Sequence, residues 1–483
     1  MYRNLSMLAD LYEFTMANGY IESGRGDERA VFDYFFRQIP DDGGYALFAG
    51  LETLIEYIND LSFTEEDIEY FRSKKIFGEE FLNRLKNFKF ECDIYSMEEG
   101  ETIFPGEPIL TVVGPIYQVQ IIETMLLLIL NHQSLIATKA SRIVRSAEGR
   151  AVSEFGSRRA HGADAANYGA RAAYIGGVNA SANTYTDRQM AIPATGTMAH
   201  SWVQSFDTEL ESFRAYAKVY PDSTLLLVDT YDVLKIGVPN AITVFNELKA
   251  AGHKPIGVRI DSGDIAYLSK ETRKMLDEAG FNDAIIVASN SLDEYRIKDL
   301  LKEGAKLDSF GVGERLITAK SDPVFGGVYK LVACEDEKGE LMPKIKVSED
   351  VVKITNPGFK QVYRFYDKNS GYQLADLVSL RDEEAPSGDE YEIFHPLFTW
   401  KRTTLNNFVA KPLLKQIYDK GKLIYELPTI EEIRKRASEN MDRLWDELKR
   451  LEEPHEYYVD LSQNLYDLRQ GMLKEVTTKR RKA

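Results

Sequence analysis

The sequence predicts an α/β protein: a (β/α) barrel in the middle of the chain and an α+β domain built from both chain ends. Two observations carry this. From about Ala151, short apolar runs end in small, polar or charged residues and lead into helical patterns. They recur at roughly 20 to 35 residues, the period of βα units. Outside that block, helices and extended pieces are mixed, and past Lys330 the period breaks up. The expected divisions are 1–130 for the N-terminal part of the α+β domain, 131–345 for the barrel with its site, and 346–483 for a C-terminal part packed on the N-terminal one.

Composition narrows the function. A chain of 483 residues, 44% hydrophobic and 28% charged, buries a large core as an ordinary globular protein does. The net charge of −16, from 60 basic and 76 acidic residues, argues against nucleic acid as the main ligand. Two cysteines, Cys92 and Cys334, make no disulfide framework or thiolate metal site and suit a reducing cytoplasm. Met1-Tyr2-Arg3-Asn4 leads into a polar-interrupted helix, not a signal segment. No apolar run reaches the roughly 18 residues of a membrane span. Val119 to Leu130, interrupted by Gln120, Glu123 and Thr124, reads as a core helix. The expectation is a cytoplasmic protein without nucleic-acid or membrane partners.

In chain order, Ser6 caps a helix carrying Leu8, Leu11, Tyr12, Thr15 and Met16, which Gly19 ends. Ala30 to Arg37, rich in β-branched and aromatic residues, is a strand running to the turn at Asp41-Asp42-Gly43-Gly44. Leu51, Leu54, Ile55 and Ile58 repeat at helical spacing, and Thr64 with Asp67 makes a capping box. Phe88 to Ile94 and Thr102 to Val113 are extended, the second holding Pro105-Gly106-Glu107-Pro108. Seven strand ends are then expected: Val152 to Gly156, Tyr174 to Gly177, Ala194 to Ser201, Leu225 to Asp229, Gly257 to Asp261, Ile285 to Ser289, and Ser309 to Gly311. In a barrel such ends share one face, so their polar tips converge. Turns at Glu337-Lys338-Gly339 and Asn356-Pro357-Gly358 follow. A long amphipathic helix starts at Thr429, with Glu432 completing a capping box and Ile430, Ile433, Met441, Leu444, Trp445, Leu448 and Leu451 on one face. Lys479 to Ala483 reads as a solvated basic tail.

Three kinds of residue gather at the tips. Phe155, Ser157, Arg158, Arg159 and His161 share a loop, and Arg259 lies on a later strand. An arginine pair beside an aromatic suits a flat anionic ring; the alternative pairs one arginine with Glu154 or a neighbouring acid. Asp229 with Asp232, and Asp261 with Asp264, can hold ribose hydroxyls or Mg²⁺, or can serve as helix N-caps. Phe310-Gly311-Val312-Gly313 can present bare amides to a phosphate. In Ala194 to Ser201, Thr197, Ser201 and His200 place hydroxyls and an imidazole where an anion would lie; the alternative for His200 is a packed or capping histidine. P-loop and dinucleotide fingerprints are absent.

Together these residues resemble the nicotinate phosphoribosyltransferase family nearly end to end. The resemblance is carried by Asp10 to Met16, Phe104 to Pro108, Glu154 to Arg159, Gly196 to Ser201, Val228-Asp229-Thr230, Arg259 to Asp264 and Phe310 to Gly313. It implies the type II phosphoribosyltransferase fold, an irregular α/β barrel plus a domain made from both ends, working as a homodimer with a shared active site. It implies a reaction joining nicotinate to phosphoribosyl pyrophosphate (PRPP), giving nicotinate mononucleotide and pyrophosphate for NAD synthesis. Mg²⁺ takes part, and ATP is a co-substrate hydrolysed through a phosphohistidine. On the same resemblance Phe155 stacks on the nicotinate ring, as does Tyr12 from across the dimer. Arg158, Arg159 and Ser201 contact carboxylate and phosphate, Arg259 and Asp261 contact the sugar and pyrophosphate, and Gly311, Val312 and Gly313 cradle the 5′-phosphate. His200 takes the γ-phosphate of ATP. Thr197, Asp229, Ser262, Gly263 and Ser289 complete the expected substrate contacts, with Asp229 and Asp261 on the metal. Glu314-Arg315 departs from the family, which often has a small hydroxyl residue after the phosphate turn. A nicotinamide-using enzyme would place an aspartate near the ring, and Val178 to Thr186 contains no acid. A non-catalytic metabolite-binding protein on this fold would have lost tip residues, and none is visibly lost.

Overall fold

Strand Arg29–Phe36 is where the two ends of the chain meet. It pairs antiparallel with Leu110–Pro115 on one side and with Gly327–Glu335 on the other, Ala30 opposite Cys334 and Phe36 opposite Gly327. The computed structural model describes residues 4–350 and 353–482. These form two compact units, Met1–Leu135 with Val324–Ala483, and Ile136–Pro323. The sequence reading divides the chain after 130 and 345; the structure divides it after 135 and 323, because Gly327–Glu335 is a strand of the first unit's sheet. Met1 to Arg3 and Ala483 lie outside the described residues, as do the side chains of Lys479 to Lys482.

The first unit holds a seven-stranded antiparallel sheet ordered Leu341–Pro343, Gly327–Glu335, Arg29–Phe36, Leu110–Pro115, Asp93–Ser96, Lys415–Asp419 and Lys422–Leu423. A four-stranded sheet places Phe408–Pro412, Lys360–Asp367, Gln373–Leu380 and Val459–Leu461 side by side. The first helix, Leu11–Glu22, is capped at Asp10, not Ser6, and runs through Gly19. Ser6 instead accepts a hydrogen bond from Ser62 N at 3.0 Å. The helix buries Glu13, Phe14, Ala17 and Ile21, and leaves Leu11, Tyr12 and Met16 exposed, as is Leu8 before it. The helix from Thr429 has its capping box but stops at Asp442. There the carbonyl of Arg443 accepts from Gln373 N at 3.0 Å, so Leu444 reaches the core from a bend and Leu448 from the short 3-10 helix Asp446–Lys449. Among the described residues no helix is long and apolar enough to cross a membrane.

The second unit is built on six parallel strands ordered Ala180–Ser181, Ala151–Glu154, Ser309–Val312, Ile285–Ser289, Gly257–Ile260 and Leu225–Leu227. Parallel pairing buries most of the central strands on both faces, so Val152, Val258, Ile260, Ile286, Phe310 and Val312 are all fully buried. Five of the seven expected strand ends are strands. Tyr174 to Gly177 is instead the end of the alanine-rich helix Ala163–Ile175, capped by Gly176, and the strand comes later, at Ala180–Ser181. Ala194 to Ser201 is reduced to one bridge, Ala194 to Ser181, followed by the short helix His200–Gln204. Among the described residues no ladder joins Ala194 to Leu225–Leu227, so backbone pairing leaves the expected barrel open at that edge.

Candidate active site at the strand tips

Side chains cross the edge that backbone pairing leaves open. Arg259, on strand Gly257–Ile260, donates from Nη2 to Met198 O at 2.7 Å. Asp229, just past strand Leu225–Leu227, lies 3.2 Å through Oδ1 from His200 Nε2. Its Oδ2 accepts from Asp261 N at 3.1 Å and from Ser262 Oγ at 2.6 Å. The Asp229 side chain is 1% exposed while His200 is 40% exposed, so a buried carboxylate holds an accessible imidazole. Asp261 accepts in turn from Ser289 Oγ, and Gly263 closes the turn with a φ of +83°, which favours glycine. Each acid pair is split by role: Asp232 and Asp264 cap helices, whereas Asp229 and Asp261 face the tips. Burial lowers the Arg259 guanidinium from its ordinary range, and Asp261 and Asp229 oppose that shift. A desolvated cation of this kind interacts strongly with an arriving anion.

The aromatic loop is fixed from beneath. Glu154 is buried and accepts from Gly156 N and, at 2.6 Å, from Ser181 Oγ; burial raises its carboxyl pKa. It is therefore not a partner for Arg158 or Arg159, which stand exposed on the turn Ser157–Arg159 and form no ion pair among the described residues. Phe155 donates from its backbone N to Val312 O at 2.7 Å. A Cβ on Gly311 would sit 2.5 Å from the Phe155 ring carbons Cδ2 and Cε2, and one on Gly156 would sit 2.7 Å from Gly313 O. The glycines of the Gly-x-Gly turn thus make room for Phe155 besides leaving amides bare. Glu314 turns outward to Lys320 at 2.7 Å, and Arg315 pairs with Asp293, so the acid after the turn is neutralised.

The second unit therefore brings together Phe155, Arg158 and Arg159 with the Gly311 to Gly313 turn, and His200 with Asp229, Arg259, Asp261, Ser262 and Ser289. Ser201 is exposed in the helix that His200 opens. Tyr12 belongs to the first unit, where it is 44% exposed. Buried atoms without a hydrogen-bond partner collect in the tip segments: Ser157 Oγ, Thr197 Oγ1, Thr230 Oγ1 and Arg259 Nε. Such orphans are costly in a finished core and call for an explanation, which at a site a ligand or water supplies. Sequence reasoning missed Ser181, the carbonyl of Met198 and Glu209. Glu209 is buried with Oε1 unpartnered, Oε2 3.0 Å from Asn240, and a pKa raised by burial and by Asp229. The capping box of Thr208 and Glu211 marks where that helix begins, but nothing local signals the burial. Among the described residues no cluster of three His, Cys, Asp or Glu side chains could hold a metal. Both Asp229 oxygens are engaged, while Asp261 has one bonded to Ser289. That set fits Mg²⁺ only as an ion shared with substrate phosphates, the ordinary arrangement for Mg²⁺.

Tips carrying a held imidazole, a desolvated guanidinium and unpaired arginines are those of an enzyme, and comparison with known proteins agrees. Residues 7–131 match the nicotinate phosphoribosyltransferase N-terminal domain, 150–334 the nicotinate phosphoribosyltransferase family and 359–469 its C-terminal domain. Nicotinate phosphoribosyltransferase of Bacillus subtilis (strain 168) is 44% identical over 476 residues, covering 99% of this chain and 96% of the relative. That of Homo sapiens is 32% identical over 521 residues, covering 96% and 95%. The crystal structure of human nicotinic acid phosphoribosyltransferase matches at a TM-score of 0.84 and 29% identity, over 96% of this chain and 100% of that one. Nicotinate-nucleotide pyrophosphorylase from Pyrococcus furiosus shares the fold at a TM-score of 0.70 and 24% identity, over 91% and 96%. The chain belongs to the nicotinate phosphoribosyltransferase family and is an enzyme.

Proposed function

We propose that this enzyme joins nicotinate to PRPP, forming nicotinate mononucleotide and pyrophosphate for NAD synthesis, with ATP hydrolysis through a phosphohistidine at His200. The observation that carries the reading is Asp229, whose two oxygens tie the His200 imidazole to the Asp261-Ser262 turn. One buried carboxylate thereby couples the phosphoryl acceptor to the segment that receives PRPP. The pyridine nitrogen brings its own lone pair, so no general base is required: the N–C1 bond forms, the C1–O bond breaks, and pyrophosphate leaves with the electron pair. The protein's task is to orient the ring and stabilise charge. Phe155 stacks on the ring, Arg158 and Arg159 grip the carboxylate, and Arg259 faces the departing phosphates. Gly311, Val312 and Gly313 receive the 5′-phosphate, and Thr197, Ser201, Ser262, Gly263 and Ser289 line the approach. Asp261 with the substrate phosphates would hold Mg²⁺, which supplies neutralising charge to the leaving group.

Because Asp229 accepts at Nε2, the hydrogen of neutral His200 sits there and Nδ1 keeps the free lone pair. Nδ1 then attacks the γ-phosphorus of ATP; the N–P bond forms, the P–O bond to ADP breaks, and water later releases phosphate. We further propose a homodimer in which Tyr12 stacks on the ring in the partner's site. Its exposure beside Leu8, Leu11 and Met16 supports this. A cytoplasmic setting accords with buried cysteines that form no disulfide. The test supplies nicotinate, nicotinamide or quinolinate with PRPP and Mg²⁺, with and without ATP. Mononucleotide from nicotinate, stimulated by ATP, is expected. No product from nicotinate overturns the reading, and product from nicotinamide alone replaces it with the nicotinamide enzyme.

A further inference from the structure

The segment after the Gly311 to Gly313 turn is held by a helix of the preceding βα unit. Asp293 caps helix Glu294–Lys302, its Oδ1 accepting from Arg296 N at 2.8 Å, and its Oδ2 meets Arg315 Nη1. The next residue, Glu294, is buried and takes Lys139 Nζ at 2.8 Å and Arg142 Nε at 3.2 Å. Lys139 Nζ also donates to Ser321 Oγ at 2.7 Å. Two successive acids on one helix thus fix the segment at Arg315 directly and at Ser321 through Lys139. Gly311 and Val312 are held by the strands on either side, and Gly313 O accepts from Leu316 N and Ile317 N, each at 3.1 Å, so the end of the turn moves with the helical turn Glu314–Ile317 that carries Arg315. Gly311 and Gly313 carry no side chain, and Val312 is buried in the sheet. On one flank it is fixed by Phe155, through Phe155 N to Val312 O. On the other, Glu314 pairs with Lys320 within the same segment, and Arg315 is the first side chain tied to a neighbouring βα unit, at Asp293.

We propose that Asp293 and Arg315 are a positioning pair, setting where the amides of the Gly311 to Gly313 turn stand and hence the affinity for the phosphate end of the phosphoribosyl substrate. The pair is partly shielded, with Asp293 14% and Arg315 39% exposed, so it keeps more of its attraction than a pair in open water. This rests on the phosphoribosyl reading above and adds residues that do not touch the reacting atoms.

The test uses the full-length enzyme with Asp293→Asn, which retains a good helix cap, Arg315→Gln, both together, Arg315→Lys, and Glu314→Gln as control. Each single loss of the pair is expected to raise KM for PRPP about fivefold. The value of kcat and the KM for nicotinate stay within about twofold, as for lost phosphate binding alone. The double variant is no worse than either single one, Arg315→Lys recovers most of the affinity, and Glu314→Gln matches wild type. An unchanged KM for PRPP overturns the proposal. So does a fall in kcat and Tm together with a parallel rise in both KM values, which marks a merely structural pair. Calorimetric titration with PRPP and Mg²⁺ separates the two readings. Wild-type protein that does not bind PRPP sinks the phosphoribosyl reading; variants that bind it as tightly as wild type sink only the pair.

Discussion

The His200 ring is open to solvent on one side and held by Asp229 on the other. In the proposed reaction that contact leaves Nδ1 as the nucleophile. We expect acid-labile label from γ-labelled ATP to appear on this residue, as the Nδ1 isomer by ³¹P NMR, and to vanish in His200→Ala. Label on Nε2, or label surviving in the variant, refutes the assignment. The residue types at the tips were legible because phosphate and carboxylate recognition uses few of them: arginine, small hydroxyls, bare glycine amides and acids. The division of labour among the four acids was not. Asp229 and Asp232 are three residues apart, and which one caps a helix depends on where strand Leu225–Leu227 stops.

The βα units turn these residues into a site by registering their ends. Ser153 pairs with Gly311 and Gly311 with Ser289, so the Phe155 loop, the glycine turn and the Asp261 partner lie on neighbouring strands. Close packing across that register predicts the effect of a single methyl group. Gly311→Ala drives a Cβ into the Phe155 ring, an overpacking that costs about 1 to 3 kcal/mol if the ring cannot move. Because the ring can swing out, the expected result is a KM for nicotinate raised at least about tenfold with a smaller loss of stability. A wild-type KM for nicotinate in this variant would show that Phe155 is not the stacking surface. The period of the βα units was readable from alternating apolar runs and polar tips. Tyr174 to Gly177 misled because a short apolar run before glycine fits a helix end as well as a strand end.

The first unit shows why both chain ends are needed for one fold. Arg364, fully buried, makes two hydrogen bonds to Asp376 and also reaches Glu101 at 3.2 Å and Thr102 O at 2.8 Å. Lys360, also buried, meets Asp33 at 2.8 Å. Arg364 and Asp376 both come from the C-terminal part, whereas Arg364–Glu101 and Lys360–Asp33 join the two ends; a buried ion pair that loses one partner costs about 3 to 5 kcal/mol, so neither end can bury its half of those two pairs alone. The same unit carries Tyr12 on an exposed apolar face, which leads to a prediction about assembly. Inactive Tyr12→Ala and His200→Ala chains, mixed under conditions of verified subunit exchange, are expected to regain partial activity through hybrid dimers with one intact site. No recovery counts against a shared site.

The order of apolar runs, capping boxes, turn glycines and chemically apt tip residues was written locally, and local physics reads it: period, propensity and residue type need no knowledge of distant contacts. Burial, closure and pairing were decided only by the folded chain. The first helix turned Leu11, Tyr12 and Met16 outward because Glu13 found Thr124 and Phe14 found Phe63 and Phe71. The sheet's open edge was spanned by Arg259 and Asp229 in place of a ladder. Glu314 and Arg315, which seemed to spoil a phosphate turn, found partners at Lys320 and Asp293. Apart from Glu314 and Lys320, six residues apart, each of these side chains depends on a partner far away in sequence, and only tertiary packing supplies it.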